Sequence, residues 1–187
     1  MTQFIIKASK RWYITMKVIN KLLDNEYRFD GINETRIVVR GIVLNDNNQI
    51  CLLKIIRKDD DFGEGNYYET PGGGKEMNET LEEGVIREIE EEICYKSSII
   101  QEIGIVEDYY NVIKRKNINH YYLMKVTQKT ETHFVSYGDF FIKDVVWVSI
   151  DEAIELYNKM DKSRIERLVK NRELPILHIV KEILGGN

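Results

Sequence analysis

The sequence predicts an α/β protein, with a sheet covered by helices on both faces, and three features carry that prediction. Two β-branched runs, Arg36–Leu44 and Gln49–Arg57, flank the turn Asn45-Asp46-Asn47-Asn48 and read as a β-hairpin. Between Thr80 and Tyr95, Leu81, Val85, Ile89 and Ile93 form one stripe, widened by Ile86, as in a helix that packs on a sheet. Later strand-like runs, Ser98–Val106, His120–Thr127 and Asp144–Val148, precede a helix that Ser149-Ile150-Asp151 opens and that runs to about Lys159.

The remaining elements follow in chain order. Residues 1–33 read as an N-terminal extension with a strand over Gln3–Lys7. A helix over Thr15–Asn25 is expected from the spacing of Val18, Ile19, Leu22 and Leu23. Residues 34–187 form the main domain. In it a charged loop, Lys58–Gly65, leads to Asn66–Thr70 and the turn Pro71-Gly72-Gly73-Gly74. Asn78 or Glu79 is expected near the start of the next helix, with acidic residues in its first turn. The C-terminal helical region is expected to break near Pro175.

With 187 residues, 43% of them hydrophobic, one domain with a real core is expected. A net charge of −4 and a pI near 5.5 argue against general nucleic-acid binding, which needs a basic footprint. Cys51 and Cys94 have neither the number nor the spacing of a disulfide framework or a zinc site, and point to reduced core residues in a cytoplasmic protein. No apolar run reaches the roughly 20 residues of a membrane span, and the first twelve residues do not have the layout of a signal peptide.

The chemistry concentrates between Gly73 and Glu92. Residues four apart share a helix face, so Glu88 and Glu92 stack one turn apart and can hold a hard cation through oxygen. Magnesium suits two or three carboxylates better than the nitrogen or sulfur ligands this stretch lacks, Cys94 apart. Arg87 and Glu91 are also four apart and should pair. The three glycines after Pro71 let the backbone turn tightly and approach a ligand closely. A Glu-rich run alone is more often a solvated helix face. Six fixed identities at this spacing, however, match by chance on the order of once in 1,000 trials even in a Glu-rich chain.

By spacing, the stretch is Gly73, five residues, Glu79, seven residues, then Arg87-Glu88-Ile89-Glu90-Glu91-Glu92. That resembles the signature of the Nudix hydrolase superfamily, MutT-like proteins included, and the likeness extends over roughly residues 35–160. The resemblance implies an α/β/α sandwich with a central mixed β-sheet. It also implies Mg²⁺-dependent hydrolysis, with Mn²⁺ as an alternative ion, of a nucleoside diphosphate linked to another group, such as ADP-ribose, a dinucleotide or a nucleoside triphosphate. A Nudix-like sensor that binds a nucleotide without turnover is the alternative, although the full set of carboxylates argues against it.

The residue roles follow from the same resemblance. Glu88 and Glu92, with the carbonyl of Gly72, would hold the metal, Glu91 would either join them as a ligand or orient them, and Arg87 and Glu79 would orient the set. Gly73 and Gly74 would approach the substrate. Tyr68 and Glu69 would flank the base, as in ADP-ribose-type members. Asp139 is the weaker expectation for a further catalytic carboxylate, with Glu131 and Glu107-Asp108, taken to lie in an earlier loop, as other choices. Many relatives are homodimers, a use to which residues 1–33 could be put. Two positions depart from the family. Cys94 replaces a helix-ending Gly, which suggests a shifted helix end, and Gly84 stands where Ala is usual, at about 1 kcal/mol of helix propensity.

Overall fold

The chain was analysed as a computed structural model that describes residues 17–131 and 140–186. The strand expected over Gln3–Lys7 and the candidate carboxylate Asp139 lie outside the described residues. In order, the elements are β1 (Val18–Leu22), β2 (Glu34–Leu44), β3 (Ile50–Asp59), β4 (Gly63–Glu69), β5 (Gly72–Gly74), α1 (Leu81–Ile93), β6 (Tyr95–Tyr110), a 3₁₀ turn (Asn111–Ile113), β7 (Arg115–Lys129), β8 (Ile142–Val148), α2 (Ile150–Asn158) and α3 (Arg164–Gly185). No helix among them is long and apolar enough to cross a membrane.

The sheet is mixed, with the order β1-β6-β7-β2-β3-β4; β5 pairs with β2 and β8 with β3. Strand β2 runs parallel to β7 along its whole length, and β1 runs parallel to β6. The anticipated hairpin exists only at its root. Strands β2 and β3 pair at Leu44↔Ile50 and then separate, β2 toward β5 and β7, β3 toward β4 and β8. The sheet therefore opens as two half-sheets hinged near one turn. Asn45 holds that turn: its Oδ1 accepts from the N–H groups of Asn47 and Gln49, both at 2.9 Å.

Alternation along β2 assigns its two faces. Val39 and Gly41 meet α1, and a methyl on Gly41 would come within 2.8 Å of Ile89. Arg40 points the other way and reaches Glu173 of α3 at 3.4 Å. Helices thus cover both faces, and the core includes Val39, Val43, Leu52, Val85, Ile89 and Met124, all at most 1% exposed.

Helix α1 starts at a reciprocal capping box: the Thr80 hydroxyl accepts from Glu83 N at 3.1 Å, and Glu83 Oε2 accepts from Thr80 N at 2.8 Å. The cap is Thr80, not Asn78 or Glu79. Thr80→Ala is expected to cost about 1 kcal/mol, read as a lower urea midpoint at constant slope.

Three expectations need correction. Residues 18–22 form a strand, not part of a helix over Thr15–Asn25. The Lys17 carbonyl accepts from Ile105 N at 2.9 Å, and the edge of β6 offers a ladder that a lone amphipathic turn lacks. Helix α3 runs through Pro175 without a break. A proline costs about 3 kcal/mol there, whereas burying each of Ile165, Val169, Ile176, Leu177 and Val180 contributes about 1.5–3 kcal/mol. The end of α1 is not shifted either. Cys94 adopts the left-handed conformation itself, φ 61°, and its N–H donates to Glu90 O, so the fold accepts roughly 1–2 kcal/mol of strain at a site usually given to Gly.

Candidate active site

The three-residue strand β5 lies antiparallel to β2, with Val39↔Gly73 and Arg40↔Gly72 in register, and places the glycine backbone beside α1. Gly72 has φ 141°, and a side chain there would strike Val39 O and the Arg40 backbone. Only glycine fits. At Gly73 a methyl would lie 2.5 Å from Glu88 Oε2, so the missing side chain gives room to a carboxylate.

Arg87 gathers the acidic residues of the box. Its Nε and Nη2 donate to the two oxygens of Glu79 at 3.0 and 2.8 Å, and Nη2 also donates to Gly74 O at 3.1 Å. Its Nη1 donates to Glu88 Oε1 at 2.9 Å and Glu91 Oε2 at 3.0 Å. The hydrogen bonds Arg87 donates to Glu79, with burial working against them, and the charges of Glu88 and Glu91 leave the guanidinium above its usual range. Gly84 has a steric use here: a methyl on it would sit 2.7 Å from Glu79 Oε1, so the glycine makes room for the carboxylate that grips Arg87.

Glu92 is 8% exposed and accepts from Gly72 N at 2.6 Å. Burial, and then the charge of Glu88, push its carboxyl well above the ordinary carboxylate range. Burial also raises Glu88, with the Arg87 charge opposing. Two carboxylates on one helix face are thus held where each suffers from missing water and from the other.

Both line a cavity of about 430 Å³ that lies between the two half-sheets. Glu69, Gly72, Gly73 and Gly74 line it too, whereas Tyr68 and Glu91 do not. The period of β4 explains Tyr68: Tyr67 and Glu69 turn inward, and Tyr68 pairs with Lys54 on the outer side. Of the two tyrosines that end β6, Tyr110 lines the cavity, whereas Tyr109 has Lys116 Nζ over its ring. Glu107 and Asp108 belong to strand β6, not a loop. Glu107 pairs with Lys21 and Lys116, and Asp108 is 4% exposed and accepts from Asn119 Nδ2 at 2.8 Å. Glu131 is exposed, and burial lowers the pKa of His120.

The sequence reading missed most of the opposite wall. Arg36, Val38 and Arg40 of β2 and Arg115, Asn117 and Asn119 of β7 all line the cavity. Their signal was Arg36 and Arg40, four apart on one face of β2, and Arg115, Asn117 and Asn119 at alternate positions of β7. Helix α3 adds Arg172 to the wall, bonded to Glu173, which does not line the cavity; the two are 1% and 0% exposed. Arg172 pairs with Glu69 and Glu173, each at 2.6 Å, and donates to Tyr110 Oη at 2.7 Å. Arg40 pairs with Glu69 at 2.7 Å and donates to Thr70 O at 2.9 Å, and Glu173 Oε2 accepts from Thr70 N at 2.8 Å. Although burial alone would raise it, Glu69 is held below its usual range by Arg40 and Arg172.

The stretch from Gly72 to Glu92 thus brings together a turn of three glycines, an arginine bonded to Glu79, Glu88 and Glu91, and two carboxylates beside a cavity. The NUDIX domain family model matches residues 34–169. The chain belongs to the Nudix family. Over 53 residues it is 45% identical to the 8-oxo-dGTP diphosphatase of Escherichia coli strain K12, a match covering 28% of this chain and 39% of that protein's length. Two solved structures share the Nudix fold. The E. coli ORF135 protein superposes with a TM-score of 0.59 at 17% identity, over 82% of this chain and 94% of that one. A Nudix hydrolase from Nitrosomonas europaea superposes with a TM-score of 0.58 at 16% identity, over 81% and 90%. Arg172 and Glu173 fall after the last residue matched to the Nudix domain.

Proposed function

We propose that this Nudix protein hydrolyses a diphosphate bond of a nucleotide, with a divalent ion held by Glu88 and Glu92. The observation that carries the reading is a pair of carboxylates, Glu92 buried and Glu88 half-buried, one helical turn apart, at the edge of a cavity whose opposite wall is rich in arginine.

The residues fit a hard cation. Burial and mutual repulsion penalise the charged forms of Glu88 and Glu92, and a cation between them would relieve both. Among the described residues no three His, Cys, Asp or Glu side chains form a ready cage. Magnesium does not require one, since it keeps several waters and takes one or two carboxylates plus substrate phosphate. The chemistry such an ion supplies is charge neutralisation at phosphoryl oxygens and a lowered pKa for water. Gly72 N–H fixes one oxygen of Glu92, and Arg87 fixes one of Glu88. Glu91, held by Arg87, acts on the arrangement through that arginine. The arginines of the far wall draw the anionic substrate in. Tyr67 and Tyr110, buried in the wall, offer ring surface to a base.

A nucleoside triphosphate substrate is favoured by the diphosphatase relative; ADP-ribose, NADH and dinucleoside polyphosphates are the comparators. Assayed with Mg²⁺ and with Mn²⁺, at least one is expected to release a nucleoside monophosphate. Tight nucleotide binding with no turnover on any of them would replace the hydrolase by the sensor.

Metal binding has a sign that can be checked without substrate. The pKa of Glu92 is raised above its ordinary 4.5, so its proton stabilises the metal-free fold at low pH, and that contribution is lost as pH rises above 4.5. The ion needs the deprotonated form. Mg²⁺ should therefore raise Tm more at pH 8 than at pH 5, by about 5–10 °C at an ion concentration 100-fold above Kd. A shift independent of pH, or equally large in Glu92→Gln, would contradict the assignment.

A further inference from the structure

The turn that gives Glu92 its backbone hydrogen bond is held from the far side of the sheet. From Thr70 N to Gly72 N every backbone polar group is bonded, and Pro71 brings no N–H of its own. Gly72 N donates to Glu92 Oε2 at 2.6 Å, and Gly41 N donates to Pro71 O at 2.9 Å. Arg40 Nη1 donates to Thr70 O at 2.9 Å, and Thr70 N donates to Glu173 Oε2 at 2.8 Å. The Thr70 hydroxyl has no hydrogen-bond partner among the described residues, so its side chain does not anchor the turn.

Glu173 stands behind both backbone groups of Thr70. It is fully buried, and its Oε1 accepts from Arg172 Nη2 at 2.6 Å. The same oxygen lies 3.4 Å from Arg40 Nη1, the donor that holds Thr70 O. Its Oε2 also accepts from Tyr157 Oη of α2. A buried carboxylate with donors on both oxygens is a rigid reference point. Pro71 has a fixed φ, so a displacement of Thr70 passes to Gly72 with little slack. Gly72 cannot absorb it, because its backbone, at φ 141°, is pressed against Val39 O.

We propose that Glu173 is a positioning residue for Glu92: it fixes the Thr70 backbone and, through Pro71, the Gly72 N–H that orients the Glu92 carboxylate. Its consequence for a bound ion rests on the reading of Glu88 and Glu92 as the cation site. Glu173 does not line the cavity, and it lies beyond residue 169, the last one matched to the Nudix domain.

Glu173→Gln tests the assignment, with Tyr157→Phe as its control. Arg40 and Arg172 keep Glu69 and Asp108 as counter-ions, so the first variant should fold. The arginines claim the amide oxygen, and the amide nitrogen then meets Thr70 N–H, donor against donor. Tyr157→Phe removes a hydrogen bond from the same Oε2 but leaves Thr70 its acceptor. In metal-free NMR spectra of the full chain, the Gly72 amide proton should move upfield and exchange about tenfold faster in Glu173→Gln, and be unchanged in Tyr157→Phe. Mn²⁺ affinity without nucleotide, read by electron paramagnetic resonance, should fall about tenfold in Glu173→Gln and stay within about twofold in Tyr157→Phe. An unmoved Gly72 amide, or an Mn²⁺ affinity lowered equally in both variants, overturns the proposal. Should Glu173→Gln not fold, the unmodified protein decides: its Thr70 amide must exchange as slowly as the core amides of β2, and exchange at the rate of an exposed turn overturns the proposal. A Gly72 amide that responds to Glu173 in a protein that binds no Mn²⁺ would sink the cation reading and leave the positioning of Glu92 standing.

Discussion

Glu92→Gln is expected to lower turnover of the best nucleotide substrate by roughly 10²- to 10³-fold, the size of effect seen when one preorganised electrostatic contact to the reacting group is removed. The fold should not suffer. Glutamine keeps an oxygen to accept from Gly72 N, which Glu92 engages at 2.6 Å. It also removes a buried negative charge that burial and Glu88 both disfavour. In metal-free buffer at pH 8 the variant should therefore melt at the same temperature as the parent or higher, and Mg²⁺ should no longer shift it. A loss of stability equal to the loss of activity would make Glu92 a structural residue. Near-normal turnover would remove it from the ion site.

Arg172→Met is expected to have the largest effect on stability, about 3–5 kcal/mol, because it leaves Glu69 and Glu173 buried with one cation fewer. Against a total of about 5–15 kcal/mol that approaches unfolding, and Tm should fall by roughly 10 °C or more. Methionine fills much of the volume, so packing loss contributes little and charge imbalance dominates. Adding Glu69→Gln to Arg172→Met should recover part of the loss, since the added change removes one of the stranded anions. A fall below about 1 kcal/mol in the single variant, measured by urea unfolding, would mean that water reaches the cluster and the charges are not desolvated.

The half of the site on α1 and the glycine turn was legible because it is local. Gly73, Glu79, Arg87, Glu88 and Glu92 lie within one loop and one helix, where spacing converts directly into geometry. The other half is non-local. That Arg36 and Asn117 are neighbours depends on the parallel pairing of β2 with β7 across more than seventy residues, and no turn announces it. The hairpin was anticipated too generously for the same reason: the Asn-rich turn is a local signal, but the partners of β2 beyond Leu44 are chosen by distant strands. Val18, Ile19, Leu22 and Leu23 suit a helix stripe as well as an edge strand, and only the edge of β6 decides. In α3 the proline was visible, whereas the burial that outweighs it was not. The inward turn of Arg172 and Glu173 was hidden because charged residues on a helix ordinarily face water.

Among the described residues the strands β2 and β3 are in register only at Leu44↔Ile50, so the ladder alone does not set how far the half-sheets gape. Helix α3 crosses between them, and its Arg172 and Glu173 touch β2, β4, β6 and the Thr70 backbone at once. Those bracing contacts come from a strut, α3, whose Arg172 and Glu173 lie beyond residue 169, the last one matched to the family. Relatives with the same catalytic helix and another strut would present jaws of another width, and so could admit different guests without altering a single acidic residue.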